Sequence, residues 1–211
     1  MSLTGKVYLV GAGPGDSGLL TLRGAELLRR AEVVVYDALV NRELLALASE
    51  SAEIIYGGKR SKDHAIPQDD LNKLLIKKAK EGKTVVRLKG GDPYIFGRGG
   101  EEATELHYEN VEFEVVPGIS SIVAAPNYAG IPLTHREHCS SFTVITGHED
   151  PEKNETALDW ARIAQEPGTK VVLMGVERIG KIAYALIENG LSKNTPVAMV
   201  RWGTTGRQKT I

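Results

Sequence analysis

Cysteine, aromatic residues and surplus charge are all scarce in this sequence of 211 residues. Its one cysteine, Cys139, excludes an internal disulfide framework and a thiolate zinc centre, and suits a reducing compartment. With 26 basic and 27 acidic residues, the formal charge of −1 argues against nucleic acid or an anionic membrane as the main partner. No apolar run approaches the roughly 18–20 residues of a membrane span, and no signal-peptide pattern opens the sequence. We therefore expect a cytoplasmic protein that binds neither nucleic acid nor membrane.

Glycine, by contrast, is plentiful, with 23 residues, and short apolar segments alternate with amphipathic ones. This alternation is typical of an α/β fold with a largely parallel sheet. Strands are predicted at residues 7–10, 33–36, 53–56, 84–88, 113–116, 141–146, 169–174 and 197–202. Helices are predicted at residues 19–28, 67–81, 99–109, 117–132, 156–165 and 177–189.

The small-residue segment 117–132, bounded by glycine and proline, divides this pattern into two halves. We place the domain boundary there. The prediction is an N-terminal α/β domain over residues 1–117, which carries the glycine-rich loops, and a C-terminal α/β domain over residues 118–211. The last five residues look like a strand that has just begun, so we expect the C-terminal domain to be truncated.

The first predicted strand ends in a glycine-rich turn, Gly11–Asp16, ahead of a helix. Such a turn favours nucleotide or anion binding, because a helix start offers unpaired N–H groups. Gly11 and Gly13 match the dinucleotide fingerprint, and Asp37 could imitate its ribose-binding acid. However, Asp16 occupies the third glycine position, where a carboxylate would repel a pyrophosphate. A plain turn, a dinucleotide site and a site for a positively charged ligand such as S-adenosylmethionine all stay open.

A second glycine cluster, residues 89–102, has five glycines in fourteen residues and directly follows a predicted strand. This density exceeds what a turn requires. Ligands of α/β sheets bind beyond the carboxyl ends of the strands, where this cluster and residues 11–16 would both lie. The two clusters together predict one ligand-binding edge.

Six motifs follow one another in a recognisable order and spacing. They are Val-Gly-Ala-Gly-Pro-Gly-Asp at 10–16, Tyr-Asp at 36–37, Gly-Gly-Lys-Arg at 57–60, the cluster at 89–102, Pro-Gly-Ile-Ser-Ser at 117–121 and Gly-Ile-Pro-Leu-Thr-His-Arg at 130–136. Over residues 6–211 the sequence resembles the uroporphyrinogen-III C-methyltransferases of the tetrapyrrole methylase superfamily. The resemblance implies two α/β domains with a cofactor cleft between them, and a homodimer. It also implies conversion of uroporphyrinogen III to precorrin-2 by way of precorrin-1, which feeds siroheme and cobalamin biosynthesis.

The resemblance also implies the site residues. Contacts to S-adenosylmethionine, which leaves as S-adenosylhomocysteine, fall at Pro14, Gly90, Gly91, Asp92, Ile95, Ser120, Ser121, Met174 and Gly203. Asp37 is implied as the proton acceptor and Lys59 as the proton donor. The residues alone would instead favour a helix-capping aspartate and a solvated loop lysine.

Uroporphyrinogen carries eight carboxylates, so the substrate needs a local cationic surface. The substrate-binding candidates are Arg60, Arg98, His135 and Arg136. We favour Arg98, because its glycine neighbours leave the side chain free to reach. His135 and His138 are spaced like metal ligands, but without a third ligand we expect no metal.

Other interpretations stay open beside this one. A relative with the same cofactor motifs could methylate another corrin precursor or a target that is not a tetrapyrrole. A nicotinamide-dependent oxidoreductase could use the turn Gly11–Gly15, and a protein with a decayed site could be a binding module.

Overall fold

A computed structural model describes residues 5–58, 66–148 and 156–211 of the chain. The chain divides into two units, of which the first comprises Met1–Ala124 and Trp202–Gln208, and the second Ala125–Arg201 and Lys209–Ile211. The late segment Trp202–Gln208 thus belongs to the first unit, while the predicted boundary between residues 117 and 118 stays a prediction. Among the described residues, no helix combines the length and hydropathy that a membrane crossing requires.

The first unit is built on a five-stranded sheet in which every pairing is parallel. Its strands are β1 (Lys6–Gly11), β2 (Val33–Tyr36), β3 (Glu53–Tyr56), β4 (Val85–Lys89) and β5 (Glu112–Val116), in the order β3-β2-β4-β1-β5. Strands β2 and β4 are buried along their whole length and β1 at four of its six residues, as expected of a parallel sheet that is covered on both faces. Because all five strands point the same way, their carboxyl ends share one edge.

Helices cover both faces of this sheet. Helix α1 (Leu22–Arg30) packs through Leu27 and Leu28 against one face, next to the short 3-10 helix Arg42–Leu47. The other face is covered by α2 (Gln68–Lys80) and α3 (Gly99–Tyr108). Each face therefore has its own apolar core. Helix α4 (Ser121–Tyr128) follows β5 and carries the division between the two units.

The second unit has two small sheets. Strands β6 (Phe142–Thr146) and β7 (Thr169–Leu173) pair in parallel, and β8 (Val200–Arg201) pairs antiparallel with β9 (Lys209–Thr210). Helices α5 (Trp160–Gln165) and α6 (Ile179–Glu188) complete the unit. Its core contains Ile145, Ile163, Ile182 and Leu186.

The predicted α/β class is confirmed, but several element boundaries differ. The helix predicted from residue 19 begins at Leu22, because the Thr21 hydroxyl accepts a hydrogen bond from Gly24 N at 3.0 Å and caps it. The helix predicted from residue 156 begins at Trp160, where Asp159 accepts from Arg162 N at 3.0 Å. The strand predicted at 197–202 is reduced to Val200–Arg201.

Candidate functional site

The carboxyl ends of four neighbouring strands carry most of the predicted site residues. Gly11–Asp16 begin at the end of β1, Asp37 follows β2, Gly90–Asp92 follow β4, and Ser120 and Ser121 follow β5. Ligands of parallel α/β sheets bind at this edge, because the loops after the strands converge there. The two glycine clusters therefore lie at one edge of the sheet, as predicted, and ligand binding at this edge stays a prediction.

The two glycine clusters are joined to each other through their backbones. Gly91 N donates to Gly13 O at 2.7 Å, and Gly13 N donates back to Gly91 O at 3.2 Å. Ala12 N donates to Lys89 O at 2.7 Å, which extends the contact from the strands into the loops. The loops after β1 and β4 thus form one continuous backbone surface.

Three glycines of this surface have two different roles. A Cβ added to Gly118 would lie 2.2 Å from Gly91 O, and one added to Gly11 would lie 2.5 Å from Gly118 Cα. Gly11 and Gly118 are therefore required for close backbone packing. A Cβ added to Gly91, at φ +67°, would have Ser120 Cα at 4.0 Å as its nearest contact among residues 5–58, 66–148 and 156–211, its own chain neighbours aside. The space beside Gly91 is open, which suits the close approach of a ligand to bare backbone.

Asp92 connects the loop after β4 to the loop after β5. Its Oδ1 accepts from Tyr94 N at 2.8 Å, and its Oδ2 accepts from Gly118 N at 3.0 Å. Each carboxylate oxygen can accept a second hydrogen bond. Asp92 therefore shapes the edge and still has capacity for an ammonium or hydroxyl group of a ligand. Ile95, in the same loop, is exposed and offers apolar surface.

Asp37 lies at the end of β2 with one quarter of its side chain exposed (25%). Its Oδ1 accepts from Leu39 N at 3.3 Å and from Gly90 N at 3.4 Å, and its Oδ2 lies 3.6 Å from Arg87 Nη2. The contact to Leu39 is the local capping contact that the residues alone favour. The contacts to Gly90 and Arg87 additionally tie Asp37 to strand β4.

Arg98 differs from the expectation that its glycine neighbours leave it free. Its Nε and Nη2 donate to the two carboxylate oxygens of Glu101, at 2.9 and 2.6 Å. This guanidinium lowers the pKa of Glu101 below its usual range. The side chain of Arg98 is exposed, so a role in substrate binding stays a prediction, but the side chain is already paired.

A segment from the end of the chain supports the first glycine turn. Asp16 N donates to Thr204 Oγ1 at 3.1 Å, and Thr204 N donates to Gln208 Oε1 at 2.8 Å. A Cβ added to Gly15 would lie 2.8 Å from Thr205 Cγ2 and 3.5 Å from Gly203 O. Gly203 is thus close to the turn that contains Pro14. Sequence reasoning missed Thr204, since no local pattern links residues 188 positions apart.

The remaining predicted residues lie elsewhere. Met174 follows β7 in the second unit, half-exposed at φ +57°. His135 and Arg136 are exposed residues of the second unit. Lys59 and Arg60 lie outside the described residues.

The structure adds a third potential metal ligand, Glu137, to His135 and His138. One ligand atom from each of these exposed residues lies within 4.8 Å of the others. However, Nδ1 of His135 already accepts a hydrogen bond from Glu137 N at 3.2 Å. In the neutral ring the proton then lies on Nε2, so neither ring nitrogen of His135 has a free lone pair for a metal. The absence of a bound metal stays a prediction.

Behind the edge lie three buried charged side chains that sequence reasoning also missed. Arg87 and Lys89 are 3% exposed and Glu102 is 0% exposed. Glu102 Oε1 accepts from Arg87 Nε at 3.0 Å and from Lys89 Nζ at 2.9 Å. Burial, and next the charge of Arg87, lower the pKa of Lys89, against the opposing effect of Glu102. The available signal was two charged residues, two positions apart, in an otherwise apolar buried strand.

The first unit has a wholly parallel sheet whose carboxyl edge presents bare glycine backbone and an anchored aspartate, an arrangement typical of α/β units that bind a ligand at that edge. Residues 6–211 match the family described as tetrapyrrole (corrin/porphyrin) methylases. The chain belongs to this family, and the predicted family is confirmed.

Three relatives show what the chain is similar to. It is 55% identical over 205 residues to the S-adenosyl-L-methionine-dependent uroporphyrinogen III methyltransferase of Methanosarcina barkeri, over 97% of this chain and 80% of that protein. A crystal structure of the Thermus thermophilus uroporphyrin-III C-methyltransferase with S-adenosylhomocysteine has a TM-score of 0.82 at 40% identity, covering 98% of this chain and 82% of that one. A cobalt-precorrin-4 methyltransferase of cobalamin biosynthesis has a TM-score of 0.85 at 30% identity, covering 98% and 84%.

Proposed function

We propose that this chain is an S-adenosylmethionine-dependent C-methyltransferase that converts uroporphyrinogen III to precorrin-2 by way of precorrin-1. The observation that carries the proposal is that over half of its residues are identical to those of a relative that acts on uroporphyrinogen III. The site agrees with this chemistry, because the loops after β1, β4 and β5 present open glycine backbone and polar groups together.

The residues of the edge fit the cofactor. The open space beside Gly91 admits a ligand against the backbone, and Asp92 retains acceptor capacity for an ammonium or a ribose hydroxyl. Ser120 and Ser121 stand where helix α4 begins and offer hydroxyl groups. We assign cofactor contacts to these residues and to Pro14, Gly90, Ile95, Met174 and Gly203. S-adenosylmethionine supplies the electrophilic methyl group when it is bound.

Methyl transfer to a pyrrole carbon is an in-line displacement. The carbon–sulfur bond breaks with its electron pair on sulfur, while the new carbon–carbon bond uses electrons of the macrocycle. The protein contributes mainly alignment and exclusion of water, which can be worth several kcal/mol of the barrier. The methylated ring carbon becomes quaternary, so a proton must leave the macrocycle elsewhere.

Asp37 is our candidate for the group that accepts this proton. Its carboxylate is held by two backbone N–H groups and by Arg87, and part of it is exposed at the edge. Lys59 is the candidate donor. The substrate carboxylates would be bound by Arg60, Arg98, His135 and Arg136. For Arg98 this requires that the guanidinium be shared with, or released from, Glu101.

Further parts of the proposal concern the whole protein. We infer a cytoplasmic homodimer in which the cofactor binds in a cleft between an N-terminal domain, residues 1–117, and a C-terminal domain, residues 118–211. The product would feed siroheme or cobalamin biosynthesis. These inferences rest on the family. Sedimentation of the purified protein tests the dimer, and the fate of the product tests the pathway.

A second candidate is methylation of another corrin precursor. The TM-score of 0.85 to the cobalt-precorrin-4 enzyme is close to the 0.82 to the uroporphyrin-III enzyme, so the fold does not discriminate between them. Sequence identity does, at 30% to the cobalt-precorrin-4 enzyme against 40% to the Thermus thermophilus uroporphyrin-III enzyme. The nicotinamide alternative is weaker, because Asp16 stands at the third glycine position and its carboxylate caps Gly18 N at 2.7 Å.

The deciding experiment is anaerobic incubation of the protein with S-adenosylmethionine and uroporphyrinogen III, followed by mass analysis of the tetrapyrrole. A gain of two methyl groups supports the proposal, and a gain of one indicates an impaired second transfer. An unmethylated tetrapyrrole would refute it. In that case S-adenosylhomocysteine binding and a parallel assay with cobalt-precorrin-4 would separate the second candidate from a loss of all methyltransferase activity.

A further inference from the structure

Glu102 on helix α3 is the centre of the buried charged cluster. Its Oε1 accepts from Arg87 and Lys89 on β4 and from Gln68 Nε2 on α2, the last at 3.3 Å. Gln68 Nε2 also donates to Asn72 Oδ1 at 3.0 Å. Oε2 has no hydrogen-bond partner within the described part of the chain. One carboxylate oxygen thus connects three elements on this face of the sheet.

Such a cluster is a poor device for stability alone. Removing charges from water is costly, and well-packed apolar side chains in place of a buried ion pair are often neutral or stabilising. The neighbours Val85, Leu71 and Leu106 already form an apolar core on this face. The function of the cluster therefore depends on the groups that its side chains contact.

The cluster is connected to Asp37 in two ways, through the side chain of Arg87 and through the backbone that follows Lys89. Arg87 directs Nε to Glu102 and Nη2 toward Asp37 Oδ2 at 3.6 Å, and its Nη1 donates to Val35 O at 3.4 Å, two residues before Asp37. Lys89 is the last residue of β4, and the next residue, Gly90, donates its N–H to Asp37 Oδ1. Both basic partners of Glu102 are therefore linked to the same carboxylate, Arg87 through its side chain and Lys89 through the backbone of Gly90.

We propose that Glu102 is a positioning residue for the methyltransferase reaction, acting through Arg87 and Lys89 on the carboxylate of Asp37. Glu102 holds the Arg87 guanidinium in place, and this guanidinium orients the Asp37 carboxylate on the side that faces β4. It also anchors Lys89, which sets the start of the loop Gly90–Asp92. This inference rests on the proposed function and extends it to buried residues behind the edge.

The test replaces the anchor with its uncharged isostere. Glu102→Gln should lower kcat about 10- to 100-fold, since a displacement of about 1 Å in a catalytic group can cost about 100-fold. It should leave the dissociation constant of S-adenosylhomocysteine unchanged. Glu105→Gln removes a charge from the exposed side of the same helix and is the matched control, with no expected change in kcat.

A double-mutant cycle with Asp37 distinguishes a positioning role of Glu102 from a general loss of structure. In an Asp37→Asn background, Glu102→Gln should cost much less than in the unmodified chain, because the group that Glu102 positions no longer acts. Equal losses in both backgrounds would overturn the proposal. If Glu102→Gln does not fold, the double variant Glu102→Gln/Lys89→Met removes one buried charge of each sign, and the same coupling is measured with it.

Hydrogen exchange tests the positioning role of Glu102 without an activity assay, so this proposal and the proposed function can fail independently. The amides of Leu39 and Gly90 both donate to Asp37, so their hydrogen exchange should accelerate in Glu102→Gln but not in Glu105→Gln. Accelerated exchange in a protein that does not methylate uroporphyrinogen III would leave the positioning role intact and refute the proposed function. Unchanged exchange at both amides would overturn the positioning role even in an active enzyme.

Discussion

Replacing Gly91 by alanine places one methyl group in the space that we assign to the cofactor. Beyond the chain neighbours of Gly91, the described residues place only Ser120 Cα as near as 4.0 Å to that position, so there is room for the methyl group. The cost to folding is the positive φ of +67°, which amounts to about 1–2 kcal/mol for a residue with a Cβ. For a chain of this size, each kcal/mol lowers Tm by about 2–4 °C. Gly91→Ala should therefore unfold about 2–8 °C lower.

The same substitution should affect ligand binding more than folding. A methyl group in the volume of a bound ligand forces the ligand away from the backbone, and a loss of 1.4 kcal/mol is about tenfold in affinity. We expect Gly91→Ala to weaken S-adenosylhomocysteine binding at least tenfold in isothermal titration calorimetry.

Gly118→Ala is the comparison variant. Its Cβ would lie 2.2 Å from Gly91 O, so the backbone must move and the loss of Tm should exceed that of Gly91→Ala. Binding of S-adenosylhomocysteine by Gly91→Ala with unchanged affinity would refute the assignment of this space to the cofactor. A larger loss of Tm in Gly91→Ala than in Gly118→Ala would refute the packing argument.

Three further predictions concern the surroundings of the site. Burial lowers the pKa of Lys89 below 10.5, so between that lowered pKa and 10.5 the unfolded chain binds a proton that the folded chain has released, and stability rises with pH. In urea titrations across the alkaline range, the stability of the unmodified chain relative to Lys89→Met should therefore increase toward pH 10.5, and parallel curves would contradict the lowered pKa. Thr204→Val keeps the side-chain shape but removes the acceptor for Asp16 N, which should cost about 1 kcal/mol in thermal unfolding, whereas Thr204→Ser should not. Elemental analysis of untagged protein should find metal well below one equivalent per chain, and stoichiometric metal that is lost in His138→Ala would contradict our expectation for the His135 cluster.

The strands of the first unit were predictable because each one contains a short apolar run. Val33-Val34-Val35-Tyr36 is buried on both sides, and a parallel strand covered by helices requires apolar residues on both faces. Helix starts were less predictable. Leu19 and Leu20 fit the apolar period of α1, yet the cap at Thr21 begins the helix at Leu22, because one side-chain hydrogen bond outweighs the continuation of the pattern.

The candidate site was predictable where it depends on topology and on the resemblance, and not where it depends on tertiary partners. Residues 11–16 and 89–102 could be assigned to one edge, since parallel strands end on the same side. Nothing local indicates that Thr204 accepts from Asp16, or that Arg98 pairs with Glu101 rather than remaining free.

Glu102 shows the same limit most clearly. On a helix of 10 residues it is one of two adjacent glutamates, Glu101 and Glu102, with identical local preferences. The first lies at the surface with Arg98, and the second is fully buried against Arg87 and Lys89. A rotation of about 100° between successive helical residues decides this difference, and the packing of α3 against β5 and α2 fixes the rotation. The basic residues of strand β4 were therefore the sign in the sequence that a buried acidic residue lies nearby. A buried strand that carries two basic residues requires an acidic partner, and the search for that partner leads to Glu102 and from there to Asp37.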